Sequence, residues 1–128
     1  MTLPHSTKVM TFILTRDRAK AKAFYTGTLG FPLISEDPFA AVFDFNGVMM
    51  RLSDVSDYVA HPHTVLGWQV DDIAASVRAL RAKGVQFQIY PGMGQDELGV
   101  WTSPDGGAKV VWFTDPDGNV LSLSELRR

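Results

Sequence analysis

A chain of 128 residues that is 45% hydrophobic and 20% charged is long enough to bury a core in one compact unit. Its formal net charge of −2 provides no basic footprint of the kind a nucleic-acid binder needs. With no cysteine there are no disulfides, no thiol catalysis and no thiolate metal sites, which leaves His, Asp, Glu and water as metal ligands. No apolar run is long enough to span a bilayer, and Met1–His5 lacks the basic-then-apolar layout of a signal peptide. The expectation is a cytoplasmic protein with no nucleic-acid or membrane partner.

Lys8 to Thr15 is rich in β-branched and aromatic residues and reads as a strand, followed by Asp17 as a helix N-cap. Ala21, Phe24 and Tyr25 then recur at helical spacing until Gly27 and Gly30, predicting a short amphipathic helix with Phe24 toward a core. Phe31 to Ile34, Phe39 to Phe45 and Val48 to Ser53 read as short strands. The last two are joined by Asn46-Gly47, a two-residue hairpin signal. After His61-Pro62-His63, a strand over Thr64 to Val70 leads to Asp71-Asp72 as a cap. The stripe Ile73, Val77 and Leu80 then predicts a helix ending at Gly84. Near the C-terminus, two strands flank Asp115-Pro116-Asp117-Gly118-Asn119, where proline, glycine and Asx side chains force a reversal. Beyond it Val120, Ser122 and Ser124 point one way and Leu121 and Leu123 the other, so one face is apolar and the opposite face more polar.

The order β-α-β-β-β thus occurs twice. Asp17–Gly30 and Asp71–Gly84 are offset by 54, or by 55 if Asp72 is the counterpart of Asp17, whereas Gly47 and Gly118 are offset by 71. The second copy therefore carries roughly 16 to 17 extra residues between Tyr90 and Gly107, a stretch with five glycines and two prolines that reads as a long loop. The predicted fold class is α+β, one domain over 1–128 built of a module at about 7–55, a linker at about 56–62 and a module at about 63–126.

This doubled layout carries Asp17…Phe24-Tyr25…Leu29-Gly30-Phe31 in the first half. The second half has Val70-Asp71-Asp72-Ile73…Gly84-Val85…Phe113-Thr114-Asp115-Pro116-Asp117-Gly118-Asn119. In that order and spacing the chain resembles the vicinal oxygen chelate superfamily of glyoxalases, bleomycin-resistance proteins, fosfomycin-resistance enzymes and extradiol dioxygenases. The resemblance implies a curled mixed sheet with helices on its convex side, a ligand cleft on its concave side, and a homodimer. It also implies, for metal-dependent members, four His, Glu or Gln ligands on the first and last strand of each module. Those positions fall on Met10, Arg51, Val65 (or Thr64) and Ser122. A thioether, a guanidinium, an aliphatic and a hydroxyl make a poor set for a hard divalent cation, so the expectation is no metal and no other cofactor.

Other candidates carry plainer readings. His61 and His63 share a strand face but flank a proline in a linker, so they read as a solvated connection. Asp71-Asp72 reads as a cap and Asp115 and Asp117 as turn formers rather than as acid–base pairs. Trp68 reads as core beneath the second helix. The aromatic set Phe12, Tyr90, Trp101 and Trp112 reads residue by residue as core or as pocket wall, and as a group suggests an aromatic-lined pocket. The candidate ligand-binding residues are Met10, Phe12, Arg51, Gln69, Tyr90, Trp101, Trp112 and Ser122, with no catalytic residue assigned. Arg51 has two readings: anchor for a ligand carboxylate, enolate or carbonyl, or partner of a protein carboxylate such as Glu36 or Glu125.

Three functions compete on these residues. One is a bleomycin-resistance-like binder of a small aromatic or amphipathic molecule, with Arg51 and Gln69 fixing its polar end. Another is a metal-dependent glyoxalase- or dioxygenase-type enzyme. The third is a metal-free lyase or isomerase using Tyr90, a histidine, Asp96 or Glu97 as general acid or base. The 91–107 loop reads as either a lid or a solvated excursion.

Overall fold

The computed structural model describes residues 2–127, and strand pairing divides them into two four-stranded mixed sheets, neither of them closed. The chain splits into two compact units, Met1–Tyr58 and Val59–Arg128, each an α+β assembly of one βαβββ module. No described helix is long and apolar enough to cross a membrane.

In the first unit β1 (Met10–Thr15) leads through Asp17 into α1 (Arg18–Ala23), followed by a π-helical turn (Phe24–Thr28), β2 (Leu33–Glu36), β3 (Ala40–Phe45) and β4 (Val48–Asp54). The sheet order is β1-β4-β3-β2, with β1 parallel to β4 and the other pairs antiparallel. Asp17 caps α1 by accepting from the Lys20 N–H at 3.2 Å. Alternation then sorts the strands. Ile13, Phe43, Phe45, Met50 and Leu52 are buried, as are Ala21 and Tyr25 of the helical segment, and the Tyr25 ring lies 6.0 Å from that of Phe43.

Tyr25, rather than Phe24, is the aromatic residue that enters this core. It stands four residues after the buried Ala21, on the same helical stripe, while Phe24 flanks it edge-on at 5.2 Å. The Leu29 N–H bonds the Phe24 carbonyl five residues back, which widens the last turn into π geometry. β2 also begins later than the sequence suggests, because the Phe31 ring packs on Phe45 at 4.5 Å and Pro32 follows it. Asn46 and Gly47 both take positive φ, 53° and 92°, as a type I′ hairpin requires, and the Asp44 carboxylate accepts from the Gly47 N–H at 2.7 Å.

The second unit repeats the order with β5 (Thr64–Gln69), α2 (Ile73–Ala82), β6 (Trp101–Thr102), β7 (Ala108–Thr114) and β8 (Val120–Leu126), arranged β5-β8-β7-β6 with β5 parallel to β8. Asp72 is the cap, accepting from the Ala75 N–H at 3.0 Å, so it is the counterpart of Asp17. The Glu125 carboxylate takes the Ile73 N–H, a further orphan donor of the same helix start. Ile73 and Val77 are buried, as are Val111, Phe113, Leu121 and Leu123, whereas Leu80 and Trp68 are half-buried.

The extra residues of this unit split one strand. Phe87 bridges Phe113, but the next pair is Trp101 with Val110, so the chain leaves the sheet edge after Gln88 and rejoins it at Trp101. The excursion is tied down. The Gln95 amide donates to the carbonyls of Gln88 and Gly99 and its oxygen accepts from the Tyr90 N–H. Asp96 accepts from the N–H groups of Leu98 and Val100.

Candidate functional site

In the first unit the sheet face away from the buried core carries Met10 and Phe12 from β1, Met49, Arg51 and Ser53 from β4, and Val42 and Asp44 from β3. Register fixes two rungs across it: Met10 opposite Met49 opposite Asp44, then Phe12 opposite Arg51 opposite Val42. Phe12 is 62% exposed and Met10 and Met49 are also exposed, so this face is apolar and open. Beside the first rung lies a depression of about 410 Å³ lined mainly by Lys8, Val9, Met10, Ile34, Val42, Asp44 and Met49. Met10 is the lining residue that the sequence named as a ligand-binding candidate. The others were within reach of strand alternation, since Val42 and Asp44 lie on one side of β3 and Met49 is two residues before Arg51.

Arg51 is half-buried on this face. Both carboxylates suggested as partners of Arg51 have other engagements. Glu36 is taken by Lys22 at 2.8 Å and Arg18 at 3.4 Å, and Glu125 accepts from the Ile73 N–H at 3.0 Å. Its electrostatic companion is Asp37, whose carboxyl is held below the usual range chiefly by the N–H groups of Phe39 and Ala40, with the charges of Arg51 and Arg18 adding to the effect. Among the described residues Arg51 makes no ion pair.

In the second unit the corresponding open face carries Val65, Gly67 and Gln69 from β5, Ser122 and Ser124 from β8, Val110 and Trp112 from β7, and Trp101 from β6. Trp112 stands opposite Ser122, Gly67 opposite Ser122 on the other side, and Trp101 opposite Val110. Tyr90 meets Trp112 edge-on at 5.5 Å. The structure thus brings Gln69, Tyr90, Trp101, Trp112 and Ser122, which the sequence named as ligand-binding candidates, together on this unit. A Cβ at Gly67 would come within 2.5 Å of the Ser122 hydroxyl, so the glycine makes room for that group.

Met10 and Arg51, on the face of the first unit, and Val65 and Ser122, on that of the second, are the positions to which the resemblance assigns metal ligands. Val65 falls at the register irregularity between Thr64 and Leu66. Among the described residues, no three His, Cys, Asp or Glu side chains form a group that could hold a metal ion. The rings of His61 and His63 stack in parallel, 6.1 Å apart and exposed. Of the loop carboxylates, Asp96 is engaged by two backbone N–H groups and Glu97 is exposed.

A family model for the glyoxalase/bleomycin resistance protein/dioxygenase superfamily matches residues 4–123. Among solved structures, the chain is similar to a protein from Bacillus anthracis assigned to the glyoxalase family, with TM-score 0.76, 14% identity, and 99% of this chain and 100% of that one covered. It is also similar to lactoylglutathione lyase from Agrobacterium tumefaciens, with TM-score 0.72, 18% identity and 95% of each chain covered. The antibiotic-binding protein TnmS3 from Streptomyces sp. CB03234 matches with TM-score 0.71 and 23% identity over 99% of each chain. Two βαβββ modules with open sheet faces, matched by the family model over nearly the whole length, place the chain in the glyoxalase/bleomycin resistance protein/dioxygenase superfamily.

Proposed function

We propose that the protein binds a small aromatic or amphipathic molecule on its open sheet faces without using a metal or other cofactor, and that it does so as a homodimer in the cytoplasm. The observation that carries this reading is Arg51, half-buried on an apolar face, whose charge acts on Asp37 but which forms no ion pair among the described residues. Buried donors without acceptors are costly, and a ligand carboxylate, enolate or carbonyl would supply the acceptor. Phe12 and Met10 beside it would contact a flat ring, and on the second unit Tyr90, Trp101 and Trp112 offer aromatic surface beside Gln69 and Ser122. The donor set at Met10, Arg51, Val65 and Ser122 does not suit Mn, Fe, Zn or Mg, because a guanidinium repels a cation and neither a thioether nor an aliphatic side chain serves a hard one. The same fold carries antibiotic binding in the Streptomyces protein, although fold alone does not assign function.

Tryptophan fluorescence and calorimetric titration with aromatic carboxylates test the reading, using protein with and without prior chelator treatment. Saturable binding unaffected by the chelator is expected, and Arg51→Met should weaken it about tenfold or more, the worth of a charge-assisted hydrogen bond. Absence of saturable binding by the wild type, or equal binding by the variant, would remove Arg51 as the anchor. A divalent ion restoring activity or binding after chelation would remove the metal-free assignment.

A further inference from the structure

We propose that the depression beside β1 and β4 selects an amphoteric ligand: an aromatic body over Met10 and Met49, an acceptor group toward Arg51, and a protonated amine received by Asp44. This rests on the reading of the first unit's open face as a ligand site and adds a second charged end to the molecule it takes.

The depression, about 410 Å³, is of the size that takes small organic ligands. Its lining is largely aliphatic and thioether, with Lys8 and Asp44 as the charged exceptions. Met10 and Met49 are direct cross-strand partners and put two polarizable sulfurs side by side, a surface suited to the edge or face of a ring. Asp44 is the next residue on the same rung, across from Met49. One of its oxygens is held by the Gly47 N–H at 2.7 Å, which orients the carboxylate. Among the described residues no cation lies within ion-pair distance of it, Lys8 included. A carboxylate in largely apolar surroundings is best satisfied by a charged donor. Arg51 lies diagonally from Asp44, one rung on, so the two Cα atoms are roughly 7–8 Å apart. A rigid ring system with an acid at one end and an amine at the other spans that gap with each charge facing its opposite.

Two matched probes test the pairing: a naphthoate with an aminomethyl group at the far end of the ring system, and the same naphthoate with an ethyl group of equal shape. Titration calorimetry with the wild type should show the aminomethyl compound binding about tenfold more tightly, as expected for one added charge-assisted hydrogen bond. Asp44→Asn keeps an oxygen for the Gly47 N–H, so the melting temperature should hold while the two probes become equal. Arg51→Met should weaken both. Equal affinities in the wild type, or an amine advantage that survives Asp44→Asn, overturn the role of Asp44. If the ethyl compound still binds and depends on Arg51, the broader reading stands without this addition. Binding of neither probe overturns both.

Discussion

At the turn between β7 and β8 a single carboxylate organises five residues. Asp115 is buried and accepts from the N–H groups of Asp117 and Asn119 and from the Asn119 side-chain amide, at 2.8–3.0 Å, while Gly118 takes φ 87°. Removing the carboxylate would leave three buried donors without this acceptor. Asp115→Ala should therefore cost about 2–4 kcal/mol in urea unfolding, and a loss below about 0.5 kcal/mol would show that water replaces the carboxylate freely. The sequence identified this residue as a turn former, because Asp-Pro-Asp-Gly-Asn has few other readings. It did not reveal that the turn is buried, since burial depends on what packs over it. Arg51 has the same character. Alternation after Asn46-Gly47 gave its face, but the commitments of Glu36 and Glu125 elsewhere are tertiary facts. Asp44 drew no reading from the sequence, because its place beside Met49 exists only once β3 and β4 pair.

At the scale of elements, the short helix α1 is held to the strands by charge as well as by Ala21 and Tyr25. The Arg18 guanidinium donates to Asp54 at 3.1 Å, to Glu36 at 3.4 Å and to the Asp37 carbonyl at 2.7 Å, and Lys22 reaches Glu36 at 2.8 Å. Lys22 first, and then Arg18, hold the Glu36 carboxyl below its ordinary value of 4.5. The folded-state pKa thus lies below the unfolded one, so the contribution is fully present above the unfolded value and is lost as pH falls through the folded value. Asp37 and Asp105 shift in the same direction, Asp105 through the Ser103 hydroxyl and the Gly107 N–H. Thermal melts should therefore show stability falling as the pH is lowered through the carboxylate range. Glu36→Gln should flatten the upper part of that fall and lower the melting temperature at neutral pH. An acid limb unchanged by the substitution would place the sensitivity elsewhere. The helix caps and hairpins of both units were legible because capping and tight turns are local chemistry. The π turn and the split strand were not. The first depends on Tyr25 seating in a core, and the second on Phe87 and Trp101 pairing with one strand across an interruption.

At the scale of the molecule, the repeat was the most informative feature of the sequence, since it gave the element order and carried the family with it, whereas the parallel pairing of β1 with β4 and of β5 with β8 is seen only in the structure. The offset of 71 between the tight turns also maps Arg51 onto Ser122, and strand register carries the same parity in both units except at the irregularity between Thr64 and Leu66. What the repeat left open is how the sheet faces are covered. The first unit exposes Val9, Met10, Phe12, Ile34, Phe39 and Met49, with Phe39 79% accessible, and its sheet ends in β1 and β2. An apolar surface of this kind marks an interaction site, and end strands offer unpaired backbone groups to a second chain. Self-association about a two-fold axis would satisfy both needs with one surface. Light scattering at micromolar concentration should accordingly give twice the 14.1 kDa chain mass. Phe39→Glu, which adds charge to the apolar surface without touching Phe12 or Arg51, should shift that mass toward the monomer. A wild-type monomer at those concentrations would leave the apolar surface to the ligand alone, and a dimer indifferent to Phe39→Glu would move the interface to another part of the molecule.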